Sequence, residues 1–204
     1  MNHRISNKIS SMLLGTVCLA GVVSRQDLTP PEREQALRYL AETRDGVVEA
    51  VKGLSDAQWR FKPAPDRWSV AEVVEHLALI EEIVHGILLK LDQAPAAPVN
   101  RDIKKIDAQI LSEVPDRSTK VQAPPQAVPT GRWTPAAALD HYLATRAQIT
   151  AILRSAPDLR QHVVNHPVLG QLDGYEWILA VAAHSARHTK QILEVKADPH
   201  FPAN

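Results

Sequence analysis

Four long segments of the chain repeat apolar residues at alternating spacings of three and four, which is the period of an amphipathic α-helix. They cover roughly residues 30–54, 69–92, 134–155 and 173–196. No segment alternates apolar and polar positions between hairpin turn signals, as a half-buried β-strand would. The pattern therefore predicts an all-α chain, and four helices of this length predict a four-helix bundle.

Two of the predicted helices begin at sequences typical of a capping box. Ser69 with Glu72, and Asp173 with Glu176, have the spacing at which each residue's side chain satisfies the other's backbone N–H. The link between the second and third helices is long and rich in proline, and it holds one short predicted helix near residues 101–113. A link of this length predicts a crossover connection, so that consecutive helices need not be antiparallel neighbours.

The first 24 residues differ from the rest of the chain. A weakly cationic start precedes an apolar stretch from Met12 to Val23, and small residues follow at Ala20 and Ser24. This order of segments predicts a secretory signal peptide, cut after Ala20 or Ser24. The apolar stretch is too short to span a bilayer as a mature helix. Lipidation at Cys18 is a less favoured alternative, because bulky Val17 precedes it.

A cleaved leader would leave residues 25–204 as a single domain without cysteine, because Cys18 is the only one. The protein is then expected in the periplasm or outside the cell, and in the cytoplasm if the leader is not processed. The chain has 23 Lys and Arg against 23 Asp and Glu, so its net charge is zero. This balance gives no electrostatic basis for binding nucleic acid or an anionic membrane, either of which needs a basic surface.

A pair of histidines in the fourth helix carries the strongest chemical signal. His184 and His188 are four residues apart, so their imidazoles lie on one helical face, and they occupy the apolar stripe. His76 lies at the edge of the stripe of the second helix. Three neutral imidazoles on two packed helices would form an open site for a divalent metal, with one position for water or substrate. The alternative is a set of structural histidines, each hydrogen-bonded to a carbonyl.

The other histidines fit a shared site less well. Glu82 and His85 form the Glu-x-x-His pair that di-iron bundles use twice, but the chain has no second copy. His85 is nine residues from His76 and therefore falls on the opposite side of the helix, where it is expected to be exposed. The remaining histidines lie in a loop before the fourth helix, alone on the third helix, or in the tail: His162, His166, His141 and His200.

Some charged residues could support a site. Arg44 and Arg146 fall where the stripes of the first and third helices would take apolar residues, and we expect both to reach the rim rather than bind a substrate anion. Glu72, Glu75 and Asp140 could accept a hydrogen bond from an imidazole N–H, but solvated helix carboxylates are the more common case.

Several short motifs, in this order, resemble the DinB-like superfamily. They are the segment from Trp68 to His76, the sequence His-Pro-Val-Leu-Gly at residues 166–170, the pair Glu176-Trp177, and His184 with His188. The resemblance covers roughly residues 30–196. It implies a four-helix bundle in which His76, His184 and His188 hold a divalent metal, often nickel or zinc. A set of three histidines also accepts iron or cobalt.

The resemblance implies a metal-dependent enzyme acting on a small-molecule substrate, and such bundles often form homodimers. Family members include thiol-dependent transferases and proteins that look like metal-dependent hydrolases, both of which use the metal to activate a nucleophile. The predicted leader favours hydrolysis, because little reduced thiol is present outside the cytoplasm. The alternative is a non-catalytic bundle that binds a metal or a small ligand.

Overall fold

The computed structural model describes residues 27–203, which form a mainly helical structure with one β-hairpin. The predicted leader and Cys18 lie outside these residues. The helices are α1 (Pro30–Val51), α2 (Asp56–Arg60), α3 (Val70–Leu88), α4 (Ile103–Glu113), α5 (Pro135–Ser155) and α6 (Gly174–Lys196). The strands are β1 (Val163–His166) and β2 (Gly170–Asp173), and short 3-10 turns cover Leu91–Gln93 and Pro125–Ala127. None of the helices in this range is both long and apolar enough to cross a bilayer.

The predicted bundle is confirmed, and α1, α3, α5 and α6 form it. The main contacts join α3 to α5, α1 to α6, α3 to α6 and α1 to α5, which gives the ring order α1, α6, α3, α5. In this order α5 and α6, which follow each other along the chain, lie across the bundle from each other, whereas α3 and α5 pack side by side. The long link between α3 and α5 contains α4, which packs against α6.

The capping sequences act as predicted. The Ser69 hydroxyl accepts a hydrogen bond from the Glu72 N–H at 3.2 Å, and the Ser69 N–H donates to the Glu72 carboxylate at 2.7 Å. Asp173 and Glu176 make the same reciprocal pair at the start of α6, at 2.8 and 2.7 Å. α1 ends at Val51, before the predicted residue 54, because Gly53 has a φ of 71° that a helix cannot contain. Local polar chemistry therefore sets these helix ends.

The β-hairpin is a difference from the sequence prediction, which placed a loop before α6. β1 and β2 pair antiparallel, with Val163 opposite Asp173 and His166 opposite Gly170. Each strand has only four residues, and neither Val-Val-Asn-His nor Gly-Gln-Leu-Asp alternates apolar and polar positions, so the pattern that predicts a half-buried strand is absent. Gly170 closes the turn with a φ of 77°, which few side chains tolerate. The hairpin leads directly into the first turn of α6.

A buried ionic network fixes the start of α6. The Arg160 side chain is only 1% exposed, and its guanidinium contacts Glu32 of α1, Asp107 of α4 and Asp173 at 2.8, 2.7 and 3.1 Å. Arg101 adds a second guanidinium at 3.1 Å from Asp173. Since Asp173 is the N-cap of α6, the network ties the beginning of this helix to two other helices.

Of the two arginines that were expected at the rim, Arg44 lies there and Arg146 does not. Arg44 is exposed and pairs with its neighbour Asp45, as expected for a residue at the rim. The expectation for Arg146 is wrong, because its side chain is 2% exposed and lies inside the bundle. Its Nε donates to Glu81 at 3.0 Å, and one terminal nitrogen donates to the Ser185 hydroxyl at 2.7 Å. A buried carboxylate on the facing helix, which periodicity alone does not pair with an arginine, explains the inward orientation.

Candidate metal centre

The structure brings His76, His184 and His188 together, with α3 supplying the first and α6 the other two. The Nε2 atom of His184 lies 3.2 Å from that of His76 and 3.1 Å from that of His188. All three ligand atoms lie within 4.8 Å of one another, and no further His, Cys, Asp or Glu of residues 27–203 joins the group. His76 and His188 are buried and His184 is half-buried.

Hydrogen bonds fix the tautomers of two of these imidazoles. His76 Nδ1 lies 2.7 Å from the carbonyl oxygen of Ala127, which can only accept, so Nδ1 carries the proton. His188 Nδ1 lies 2.8 Å from Gln191 Oε1, and Arg117 donates to that same oxygen at 3.2 Å. Because the arginine can only donate, the atom facing His188 is an acceptor, and His188 Nδ1 is protonated as well. In both rings the Nε2 lone pair therefore points towards the third histidine.

Hydrogen bonds among the three rings cannot satisfy the Nε2 lone pairs of both His76 and His188. A neutral His184 has one N–H, so its Nε2 can donate to His76 or to His188 but not to both. Its buried Nδ1 has no hydrogen-bond partner among the described residues. A single cation, in contrast, would accept all three Nε2 lone pairs at once. Metal–nitrogen bonds of about 2.0–2.1 Å in tetrahedral geometry place the nitrogens about 3.3 Å apart. The two spacings that involve His184, 3.1 and 3.2 Å, are close to this value.

Burial favours the neutral form of all three imidazoles, which is the form that binds metals. Loss of hydration lowers the pKa of His76. It lowers the pKa values of His184 and His188 further below the ordinary histidine value, and repulsion between the neighbouring rings adds to the effect. Protonating any one of them would place a charge in a poorly hydrated site.

The link between α3 and α5 covers the site. Glu75, next to His76, is buried, and its carboxylate accepts N–H groups from Thr130, Gly131 and Arg132 at 2.9 to 3.2 Å. This contact holds the link close to α3, where its Ala127 carbonyl meets His76. Glu75 is therefore an anchor for the link rather than a solvated helix carboxylate.

An aromatic side chain and charged groups complete the surroundings. Trp68 packs against His76 and His188, with ring centroids 4.9 and 6.5 Å apart. Arg187 of α6 donates to the Thr119 carbonyl at 2.6 Å, so a second segment of the link is tied to the histidine helix. Arg117 binds both carboxylate oxygens of Glu194 at 2.7 Å, which holds its guanidinium in place against Gln191.

Neither Glu72 nor Asp140 accepts a hydrogen bond from an imidazole among the described residues, which agrees with the preferred interpretation of both as ordinary helix carboxylates. Glu72 caps α3 and pairs with Lys62, and Asp140 is exposed. The actual acceptors are the Ala127 carbonyl and the Gln191 amide. Gln191 follows His188 by three residues on one helical face, so spacing could have found it. The Ala127 carbonyl carries no sequence signal, because any residue offers one.

The other histidines lie apart from this group. His85 is half-buried rather than exposed, at a position on α3 that points away from His76. His141 lies 3.4 Å from Glu82, and His162 donates to the Ala94 carbonyl. His166 accepts two backbone N–H groups in the hairpin turn, and His200 is exposed in the tail.

The Gln191 contact yields a first prediction. Replacing Gln191 by leucine should weaken binding of a divalent metal by about 10–100-fold, because His188 loses the acceptor that fixes its tautomer. Competition with a chromophoric chelator would measure the affinity. Gln191→Glu, which keeps an acceptor, should retain most of it. Equal affinities in the wild type and the leucine variant would contradict the assigned role of Gln191.

Comparison with known proteins places the chain in a family. Residues 39–192 match the sequence profile of the DinB superfamily, and the chain belongs to this family. The uncharacterised protein YuaE of Bacillus subtilis (strain 168) is 31% identical over 157 residues, which cover 76% of this chain and 93% of YuaE.

A solved structure supports the fold. It is that of YfiT from Bacillus subtilis, described as a probable metal-dependent hydrolase with an unusual four-helix bundle topology. It superimposes with a TM-score of 0.55 at 19% identity, over 85% of this chain and 90% of YfiT. At this identity, the similarity establishes the bundle fold alone. The fold that the motifs predicted is thereby confirmed.

Proposed function

We propose that this protein is a hydrolase that depends on a divalent metal held by His76, His184 and His188. One observation carries the proposal: three Nε2 atoms converge, and the Nδ1 atoms of His76 and His188 are already used as hydrogen-bond donors. Two lone pairs are thus directed at one point, beside a third imidazole whose N–H cannot satisfy both. Three protein ligands are typical of catalytic sites, which keep a position open for water or substrate.

Zinc and nickel are the proposed metals, and iron or cobalt would suit the same three imidazoles. A bound ion of this kind lowers the pKa of water and so supplies a nucleophile near neutral pH. The protein's part is to hold the ligands: Ala127 and Gln191 orient two rings, and Trp68 shields them from solvent on one side. Carbonyl and amide acceptors leave the positive charge of the ion largely uncompensated, which favours an anionic or strongly polarised ligand.

Two further points support hydrolysis over thiol transfer. The structural relative YfiT is described as a probable metal-dependent hydrolase. The leader predicted for residues 1–24 would take the protein to an oxidising compartment, where a small thiol cosubstrate is scarce. The alternative is a bundle that binds a metal without catalysing a reaction. The experiment that tests the hydrolase also distinguishes it from such a binding protein.

The test is metal analysis joined to an activity assay. Protein purified without chelator or nickel resin should contain about one equivalent of a transition metal, as expected for a single three-histidine site. Hydrolysis of a panel of activated esters and amides should disappear on dialysis against a chelator and return with that metal. Metal without hydrolysis would favour a binding protein, and hydrolysis only with an added thiol would favour a transferase. Absence of metal after zinc, nickel and iron are supplied would overturn the proposal.

A further inference from the structure

The face of α3 that carries His76 continues towards the end of the helix as a row of isoleucines. Ile80, Ile83 and Ile87 follow His76 by four, seven and eleven residues, and at 100° per residue all fall within about 40° of its direction. All three are only half-buried, whereas Val73 and other core residues of α3 are fully buried. An apolar strip of partial exposure therefore begins one helical turn beyond the buried metal ligand and runs along the helix.

Ile83 and Ile87, the two isoleucines farther from His76, form one wall of a groove. The groove has a volume of about 380 Å³ and is lined by Ile83, Gly86, Ile87, Lys90 and Val164. Val164 comes from β1, so the hairpin supplies the opposite wall. Gly86 leaves room here, because a Cβ atom at this position would meet no atom within 4 Å. The volume lies within the range of about 300–1,000 Å³ that is typical of small-molecule sites.

Lys90 is the charged member of the lining. It is exposed and has no carboxylate within salt-bridge distance among residues 27–203. Its methylene stem can line the groove while its ammonium group stays in water. The surfaces that Ile83, Ile87, Val164 and the Lys90 stem offer to the groove are therefore apolar. The occupant that matches this arrangement is an unbranched apolar chain.

We propose that the substrate of the metal centre carries an acyl or alkyl chain that lies in this groove. The proposal rests on the proposed function, since it places the reacting bond at the three histidines. The helical rise separates His76 from Ile83 by about 10 Å. At roughly 1.3 Å per extended carbon–carbon bond, a chain needs about eight carbons to reach the groove from the metal centre. Short-chain substrates would leave the groove empty.

The test uses the full chain and a series of fatty acids. Isothermal titration of the protein as purified with butanoate, octanoate and decanoate should show decanoate binding at least about tenfold more tightly than butanoate, because the longer chain buries more apolar surface. Gly86→Leu should remove this advantage by filling the groove and leave butanoate unchanged. Leucine is compatible with a helix, and the open space at this position lets the variant fold, which its thermal melting curve would verify.

A matched control places the same side chain on the other face of the helix. His85→Leu should keep the dependence on chain length, because His85 points away from the groove. Equal affinity for all chain lengths, or decanoate binding that Gly86→Leu does not change, would overturn the proposal. So would a dimer that Gly86→Leu dissociates, because the groove would then be an interface between copies.

The metal content of the same samples separates this proposal from the proposed function. If the protein cannot be loaded with metal but still prefers long chains, the groove proposal stands and the hydrolase proposal fails. If the protein binds metal but shows no preference for long chains, the groove proposal fails and the metal site of the proposed hydrolase stands.

Discussion

Replacing His188 by alanine should lower the affinity for a divalent metal by at least about a hundredfold. Complete sets of four zinc ligands contribute roughly 10–16 kcal/mol in small zinc domains, so one ligand contributes on the order of 3 kcal/mol. His188 supplies one of the three converging Nε2 atoms, at 3.1 Å from His184. The affinity would be measured by competition with a chromophoric chelator and the metal content by elemental analysis.

His85→Ala is the matched control for this prediction. The variant removes an imidazole from α3, but at a position that points away from the site, so its metal content should equal that of the wild type. His184→Ala should behave like His188→Ala, because His184 contacts both other rings. Full metal content in His188→Ala, or a loss in His85→Ala, would show that the metal is bound elsewhere.

The histidine group was largely predictable because its spacing follows helix geometry. An i, i+4 pair within an apolar stripe must face the core, and only a few histidines lie on helices that could meet it. The fold was predictable for the same reason, since long amphipathic segments with capping boxes leave few alternatives to a bundle. His76 was assigned both from its stripe and from the family resemblance, and the structure places it 3.2 Å from His184.

What the sequence could not indicate are contacts made by the irregular parts of the chain. The Ala127 carbonyl reaches His76 because Glu75 binds three successive N–H groups of the link, at Thr130, Gly131 and Arg132. No periodicity marks such a contact, which depends on where a long link folds back. The hairpin was not predicted because neither of its strands alternates apolar and polar residues.

The expectation that Arg146 reaches the rim is wrong for a different reason, and the contacts that hold it inside the bundle also lie beside the candidate metal site. Periodicity correctly placed it on the inner stripe of α5, but a buried charge is rare without a partner, and its partner is 65 residues away on α3. The guanidinium also donates to Ser185, the residue that follows His184, and to the Leu40 carbonyl of α1. One side chain thus connects all four bundle helices beside the metal ligands, so its loss should disturb stability and site together.

Arg146→Met should lower the free energy of unfolding by about 3–5 kcal/mol, because it leaves the Glu81 carboxylate buried without its cation. Urea denaturation would measure the change.

The effect of Arg146→Met should also depend on pH. Burial raises the pKa of Glu81 even with Arg146 present, and removing the cation raises it further. A carboxyl whose pKa is higher in the folded state stabilises the fold at pH values below the unfolded pKa and loses that contribution as pH rises. The loss caused by Arg146→Met should therefore be larger at pH 8 than at pH 5.

The double variant Arg146→Met with Glu81→Leu separates the ion pair from simple packing. Both charges are then absent and the volume is largely kept, so most of the lost stability should return. Glu81 already has one carboxylate oxygen without a partner among the described residues, which makes its unpaired state costly. A double variant as unstable as Arg146→Met would mean that the contacts to Ser185 and Leu40, rather than the buried pair, hold the four helices together.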